Sequence, residues 1–375
     1  MARSIPFVNL KPALDSCRQE WQERLTKAIN RAWFILGEEV AAFEREFAYF
    51  CGSPFAVGVA SGTDALEIAL RLAGVTAGGA PQEVITSPLT AAFTAHAILA
   101  AGATPVFADV LDDTLLLDPR AVEARITPRT AAILPVHLYG QTCDLEALAA
   151  LAARSGVALI QDASQAHGAD YNGHPLSAWS PLIAYSFYPT KNLGCLGDGG
   201  ALLVGSAEHD RHARLLRDGG RDPKIPGSHV SLMPARNSRL DEVQAALLRV
   251  FLRRLTEWNE RRRHLATVYD GELFGIPAEW LRPVGRTPNG SHVRHLYVVR
   301  VRRREELIRY LAEQGIGAGV HYPVPLHRQP AFETPDSCPV AERAAAEVLS
   351  LPMWPFLAEE QARFVAAQIW KFYLG

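Results

Sequence analysis

Two side chains in this sequence could take part in one reaction, Lys191 and Asp162. Lys191 lies in the segment SFYPTKNLGCLGDGG, residues 186–200, directly after an apolar run, and Asp162 ends another apolar run, VALIQD. A lysine withdrawn from bulk water loses its proton readily and can attack an aldehyde carbon. A carboxylate at the end of a neighbouring strand can keep a pyridine nitrogen protonated. Each residue alone would ordinarily be a surface charge or a helix cap, but together they indicate bound pyridoxal phosphate (PLP).

The phosphate of such a cofactor would need backbone N–H donors, which a helix N-terminus supplies. Gly62 and Thr63 follow the run FAVGVA and open the helical segment SGTDALEIAL, although a simple capping box is the alternative. Ser186, at the exit of the run PLIAYS, is a second candidate phosphate ligand. GCLGDGG precedes a strand rather than a helix, and G-x-x-x-x-G-K-[ST] is absent, so a dinucleotide loop and a nucleotide triphosphatase are disfavoured.

Seven short apolar runs must position these groups, and segments with helical periodicity separate most of them. Runs that are apolar without alternation, with helices between them, indicate a mostly parallel sheet covered on both faces. The predicted fold class is therefore α/β, doubly wound, with the ligand at the carboxyl ends of the strands. The predicted strands are FAVGVAS, EVITSP, TPVFADV, AAILPVH, VALIQDAS, PLIAYSFYP and GALLVGS.

A smaller α/β unit is predicted to follow. The segment LDEVQAALLRVFLRRLTEWNERRRHLATVYDGEL predicts one long helix, and we place a domain boundary inside it. This gives a large domain over residues 1–250 and a small domain over residues 251–375. The stretch 274–290, with its prolines and glycines, is predicted to be a surface connection. HLYVVRV predicts a strand, and REELIRYLAEQG, AERAAAEVLSLP and AEEQARFVAAQIWKFY predict helices.

Composition narrows the functional classes. The 375 residues are 48% hydrophobic with a formal net charge of −2, so we expect no binding of nucleic acid or anionic membranes. The five cysteines are widely spaced and no signal-like apolar segment is present, so we expect a cytoplasmic protein. His292 and His295 are not accompanied by a cysteine or carboxylate cluster, so we expect no metal site.

Six sequence motifs contain these candidate residues or lie between them and the C-terminus. In chain order they are SGTDALEIAL, QDASQAHGA, SFYPTKNLGCLGDGG, RNSRLDEVQAALL, HYPVPLH and AERAAAEVLSLPMWP. From about residue 7 to the C-terminus the sequence thereby resembles the PLP-dependent nucleotide-sugar aminotransferases of the DegT–StrS group. The resemblance implies fold type I, the aspartate aminotransferase-like fold, with a mostly parallel seven-stranded sheet in the large domain and a smaller C-terminal α/β domain. It also implies a homodimer with shared active sites.

The resemblance assigns roles at the cofactor ring. Lys191 is similar to the lysine that binds the cofactor aldehyde and shuttles the proton, Asp162 to the partner of the pyridine nitrogen, and Gln165 to the residue beside the ring and its 3-oxygen. This chain departs from the family at Ala91 of TAAFT, where an aromatic residue usually covers one face of the ring. Either Phe93 or another group compensates, or the ring is held more loosely.

The resemblance also assigns phosphate and substrate positions. His321 and Tyr322 of HYPVP resemble a segment near the sugar-nucleotide pocket, although such a run is equally typical of a packed turn. The implied phosphate ligands are Gly62, Thr63, Ser186 and, from the second subunit, Asn237.

The implied reaction moves an amino group from glutamate to a keto sugar linked to a nucleotide. SFYPTKNLGCLGDGG together with NSRLDE resembles enzymes of 3-keto sugars, so a dTDP-3-keto-6-deoxyhexose is the preferred acceptor. A 4-keto nucleotide sugar and a keto-cyclitol are alternatives. A related dehydratase would normally have histidine in place of Lys191, and a non-catalytic PLP-binding regulatory protein is a remote possibility that Ala91 suggests.

Overall fold

The computed structural model describes residues 4–75, 80–222, 225, 229–335 and 337–374. A seven-stranded sheet with helices on both faces forms the larger part, and a three-stranded sheet the smaller part. The strands are β1 (Phe55–Val59), β2 (Glu83–Thr86), β3 (Thr104–Phe107), β4 (Thr130–Leu134), β5 (Ala158–Asp162), β6 (Asp170–Tyr171), β7 (His174–Pro175), β8 (Leu182–Ser186), β9 (Gly200–Val204), β10 (Leu281–Pro283), β11 (Tyr297–Val301) and β12 (Val348–Leu351).

Helices precede, separate and follow these strands. Most of the long ones carry a polar face and a buried apolar face, as expected for helices that cover a sheet. They are α1 (Lys11–Ser16), α2 (Arg18–Arg31), α3 (Glu38–Phe50), α4 (Gly62–Leu72), α5 (Ala92–Ala101), α6 (Pro119–Glu123), α7 (Leu145–Ser155), α8 (Ala207–Arg217), α9 (Glu242–Leu252), α10 (Leu255–Glu272), α11 (Arg304–Glu313), α12 (Pro339–Glu347) and α13 (Glu359–Leu374).

The large sheet has the strand order β1-β9-β8-β5-β4-β2-β3. Neighbouring pairs from β8 to β3 are parallel, while β9 pairs antiparallel with both β8 and β1. The seven apolar runs that the sequence analysis identified as strands are these seven strands. The predicted mostly parallel, seven-stranded α/β sheet is therefore confirmed.

Alternate side chains of each strand enter separate cores on the two faces. From β1, Val57 and Val59 pack with residues of α4, α5 and α8, whereas Ala56 packs with residues of α3 and α9. Both faces are therefore dry, which explains why the strands read as continuous apolar runs rather than alternating ones.

The three-stranded sheet is antiparallel, in the order β10-β11-β12. Its core includes the second half of α10 together with α11 and α13. Ile5 joins this core, because its N–H donates to the carbonyl of Gly315 at 2.8 Å and its carbonyl accepts from Gly317 at 2.8 Å.

Three local predictions for this part of the chain were wrong. The predicted helix AERAAAEVLSLP ends at Glu347, because Val348–Leu351 pairs with β11 as β12. The predicted single long helix divides into α9 and α10 at residues 253–254, since α9 packs on the large core while much of α10 packs on the small one. The stretch 274–290 contains β10. The division into residues 1–250 and 251–375 stays a prediction.

No helix among the described residues is long and apolar enough to cross a membrane.

Glu44 of α3 fastens the helix layer to the large sheet. Its carboxylate accepts from the backbone N–H of Gly58 at 2.8 Å and pairs with Arg214 at 2.8 Å and with buried Arg217. Burial alone would raise the pKa of Glu44, but the two arginines outweigh burial and hold that pKa below its usual value.

Replacing Glu44 with alanine should therefore lower the free energy of unfolding by about 3–5 kcal/mol, because it leaves Arg217 buried without its partner. The matched control is Glu257→Ala, which removes an exposed pair with Arg261 and should change stability by less than about 1 kcal/mol. Urea unfolding of both variants measures this difference. Equal stabilities would contradict the role of Glu44.

Candidate active site

Lys191 and Asp162 occupy the same edge of the large sheet. Asp162 is the last residue of β5, which runs parallel to β8, and Lys191 lies five positions beyond the end of β8 at Ser186. In the register of the two strands Asp162 lies opposite Ala184. Parallel neighbours end at the same edge, so the topology brings together the two residues that the sequence analysis paired.

Asp162 is a buried carboxylate, only 4% exposed. It accepts hydrogen bonds from the Thr94 hydroxyl at 2.9 Å and from the backbone N–H of Ser164 at 3.1 Å. It makes no ion pair with a histidine, lysine or arginine of the described chain. Both interactions hold the carboxylate in place and leave it able to pair with a cationic ring nitrogen.

Thr94 was missed by the sequence reasoning. It lies in the first turn of α5, within the TAAFT segment, and a hydroxyl four residues after Thr90 was the available signal. Only the fold shows that this turn faces Asp162. Phe93, beside it, is 65% exposed, and Ala91 is the N-cap of α5.

Burial lowers the pKa of Lys191 to about 8, against the opposing attraction of Asp162. Loss of hydration disfavours the ammonium form, whereas the carboxylate favours it, and the first effect is the larger. About a tenth of the amine is therefore unprotonated at about pH 7, against well under about 0.1% for a lysine of ordinary pKa. This is the state in which a lysine attacks a carbonyl carbon.

The N-terminus of α4 forms a tight cradle beside these groups. Ser61 is the N-cap and accepts from the N–H of Asp64 at 3.1 Å, and Thr63 lies in the first turn. A Cβ on Gly62 would lie 2.7 Å from the Cβ of Ser186 and 3.3 Å from the hydroxyl of Ser164. The glycine therefore lets the N-terminal N–H groups of α4 approach Ser186 and Ser164 closely, as a phosphate site requires.

Gln165 and Tyr322 meet at the same edge. Gln165 accepts from the backbone N–H of Tyr139 at 2.7 Å, and its Nε2 donates to the Tyr322 hydroxyl at 3.3 Å. Tyr139 in turn donates to the carbonyl of His321 at 2.5 Å, and the His321 ring lies 2.9 Å from the Ser350 hydroxyl. The HYPVP segment is thus a packed turn that also places Tyr322 beside Gln165.

Burial and neighbouring charges set the ionisation of Tyr322 and His321. Burial, with the carboxylate adding to it, raises the pKa of Tyr322 to about 12. Burial, with Lys191 adding to it, lowers the pKa of His321 to about 4. Both side chains are consequently neutral at physiological pH, and Tyr322 can act as a hydrogen-bond donor.

Asn237 differs from the other predicted residues, because its side chain is exposed and makes no hydrogen bond within the described chain. Its neighbour Ser238 is buried, donates to the Asp64 carboxylate at 2.8 Å and accepts from the N–H of Ala60 at 3.0 Å. The segment is therefore fixed next to the α4 N-terminus while Asn237 points outward.

These residues fit PLP. The cradle at Gly62 suits a phosphate group, the buried carboxylate of Asp162 suits a protonated ring nitrogen, and the amine of Lys191 suits an aldehyde. No group of three or more potential metal ligands occurs among the described residues. The mostly parallel sheet and this site together indicate a PLP-dependent enzyme.

Comparison with known proteins identifies the family. Residues 15–370 match the DegT/DnrJ/EryC1/StrS aminotransferase family, and the chain belongs to it. It is 46% identical over 362 residues to the dTDP-3-amino-3,4,6-trideoxy-alpha-D-glucose transaminase of Streptomyces venezuelae, covering 96% of this chain and 93% of that one. It is 41% identical to the pleiotropic regulatory protein of Geobacillus stearothermophilus, with 99% of each covered.

The crystal structure of S. venezuelae DesV superposes with a TM-score of 0.94 at 42% identity, covering 99% of both chains. The family predicted from the six motifs is thereby confirmed. So are the fold type and PLP as cofactor, and the protein is a PLP-dependent aminotransferase. The roles of the individual site residues stay predictions.

The low pKa of Lys191 predicts how the apoprotein captures PLP. Because only the neutral amine attacks, the capture rate should rise about tenfold per pH unit and level off above about pH 8. Absorbance stopped-flow from about pH 6 to about 10 measures this rate. The control is Nα-acetyllysine, whose side-chain amine is free and has an ordinary pKa. If the capture rate of the protein instead kept rising up to about pH 10, as that of the control amine should, the lowered pKa of Lys191 would be contradicted.

Proposed function

We propose that this enzyme transfers the amino group of glutamate to carbon 3 of a dTDP-linked 3-keto-6-deoxyhexose, in amino-sugar biosynthesis. The observation that supports catalysis is the placement of Lys191 and Asp162 at one sheet edge beside the Gly62 cradle. The nucleotide sugar and the carbon position rest on the family, the NSRLDE motif and the S. venezuelae transaminase.

Bound PLP supplies an aldehyde for amine exchange and an electron-accepting ring. In the proposed roles, Asp162 keeps the ring nitrogen protonated, and Thr94 and the Ser164 N–H keep Asp162 oriented. Gly62, Thr63 and Ser186 would bind the phosphate, and Gln165 would contact the 3-oxygen of the ring. Lys191 would bind the aldehyde through its amine and, as a free amine, would carry the proton to and from the donor's alpha carbon.

His321 and Tyr322 are proposed to border the sugar-nucleotide pocket. Their segment is held by Tyr139 and Ser350, so the Tyr322 hydroxyl has a fixed position next to Gln165. A neutral tyrosine so placed can donate a hydrogen bond without adding charge near the reacting carbon.

A regulatory role is the second candidate, because the Geobacillus relative is named as a pleiotropic regulatory protein. The retained Lys191, with its lowered pKa, favours turnover over mere cofactor binding. Loss of the visible cofactor absorbance on addition of glutamate would be expected of the enzyme and not of a protein that only binds PLP.

The sugar carbon that receives the amino group is tested by supplying glutamate with either the dTDP-3-keto or the dTDP-4-keto sugar. The 3-keto compound should be used with at least about tenfold higher kcat/KM, measured by product chromatography. Free dTDP should inhibit, which it would not do to a keto-cyclitol enzyme. Turnover of the 4-keto sugar alone would contradict the carbon 3 assignment.

We also propose a homodimer whose active sites are shared. The side chain of Asn237 is exposed beside the phosphate cradle and makes no hydrogen bond within the described part of its own chain, as expected if it completes the site of a second copy. Apolar side chains that would suit an interface are exposed nearby, on the loop before α3 and on the loop 187–199 that carries Lys191, here called the lysine loop. They are Trp33, Phe34, Ile35 and Leu196. Ile35 bridges to Asp241, four residues beyond Asn237.

Mixing two inactive variants tests the shared site. Lys191→Ala and Asn237→Ala chains, unfolded and refolded together, should recover about a quarter of wild-type activity, since about half of the dimers are hybrids and each hybrid has one intact site. Each variant refolded alone is the control. A verified hybrid dimer without recovered activity would show that Asn237 does not act across the interface.

Residence in the cytoplasm is part of this proposal. All five cysteines are free and buried thiols, as is usual in a reducing compartment.

A further inference from the structure

The residue after Lys191 fixes the lysine loop from within the protein. The Asn192 side chain is 5% exposed, and its Nδ2 donates to the Oδ1 of Asn259 at 2.8 Å and to the carbonyl of Val293 at 3.0 Å. Its Oδ1 lies 3.2 Å from the Nδ1 of His295. Because Asn192 is covalently joined to Lys191, these bonds restrict the backbone that carries the reactive amine.

Asn259 connects that loop to the loop that carries Asp162. It lies on α10, is 2% exposed, and its Nδ2 donates to the carbonyl of His167 at 2.8 Å. His167 belongs to the segment that follows β5, five residues beyond Asp162. The neighbouring Gly168 permits the close approach, since a Cβ there would lie 3.2 Å from the Asn259 Nδ2.

We propose that Asn259 is a positioning residue for catalysis, which sets the separation between the Lys191 amine and the Asp162 carboxylate by tying their two loops together. This inference rests on the roles proposed above for those two residues. Ala163, directly after β5, donates its N–H to the carbonyl of Ala184 at 2.9 Å. Among the described residues no backbone hydrogen bond joins the segment 164–169 to the segment 187–199, so side chains such as Asn259 hold their spacing. An amide suits this place because one side chain accepts from Asn192 and donates to His167.

The pH at which Lys191 titrates should depend on the distance between its amine and the Asp162 carboxylate. Asp162 is the carboxylate that acts on its pKa. Three histidines also face Lys191, namely His167, His295 and His321, and burial lowers the pKa of each, so they are uncharged near neutral pH. Arg262 faces His295 from α10. A displaced Lys191 amine would therefore change its titration mainly through its distance from Asp162.

Two substitutions test the connection in different ways, and neither adds charge near Lys191. Asn259→Ala removes both hydrogen bonds together with most of the side chain, and Asn259→Leu removes both hydrogen bonds but roughly keeps the side-chain volume. The matched control is Tyr269→Phe, which removes one buried hydrogen bond, to the carbonyl of Pro352 at 3.0 Å, from the same helix. All are studied as holoenzymes with PLP, glutamate and the keto sugar.

In both Asn259 variants the pH midpoint of the visible cofactor absorbance should move by at least about 0.5 units, because the amine and carboxylate are no longer held at their native separation. The value of kcat should fall at least about tenfold while KM changes much less, since substrate contacts remain. Tyr269→Phe should lower the melting temperature similarly but leave midpoint and kcat at wild-type values.

Failure of the inference and of the proposed function are distinguishable. A wild-type protein without a cofactor band would overturn the proposed function itself. A normal wild-type band, with midpoint and kcat in the Asn259 variants equal to those of Tyr269→Phe, would overturn the positioning role and leave Asn259 as a support of the fold. If Asn259→Ala does not fold, Asn259→Leu and Asn192→Leu, which roughly keep the side-chain volume and add no charge, decide between these outcomes.

Discussion

One constraint governs the arrangement of this protein: an amine must lie near a carboxylate and still lose its proton far more readily than an ordinary lysine does. Attraction to Asp162 favours the ammonium form of Lys191, and burial opposes it. Hydrogen bonds from the Thr94 hydroxyl and the Ser164 N–H fix the position of the carboxylate that exerts this attraction. A second uncompensated acid near Lys191 would strengthen the ammonium form and slow attack on an aldehyde.

The sheet topology supplies this arrangement. Parallel β5 and β8 end at the same edge, and β9 then returns antiparallel, so the lysine loop leaves and re-enters the sheet between Ser186 and Gly200. A loop that doubles back at this point needs close backbone approach, and a Cβ on Gly194 would lie 2.5 Å from the carbonyl of Pro189. The α4 N-terminus meets the same edge, and the phosphate cradle therefore lies beside the lysine.

Much of the fold could be predicted from sequence, because a strand buried on both faces is a continuous apolar run and all seven runs became strands of the large sheet. The end of α12 was mispredicted because VLSL follows an alanine-rich helix without a breaker, and only pairing with β11 makes it a strand. The motifs also pointed to Lys191, Asp162 and Gln165. They could not show Thr94, Tyr139 or Asn259, whose partners lie 26 or more residues away in sequence.

The central claim, that Lys191 is the amine that binds PLP, has a direct measurement. Purified protein supplied with PLP is reduced with borohydride, digested and analysed by mass spectrometry. The account predicts that the peptide containing Lys191 alone gains the mass of the reduced cofactor. A labelled peptide containing a different lysine, or no labelled peptide from protein that is folded, would contradict it.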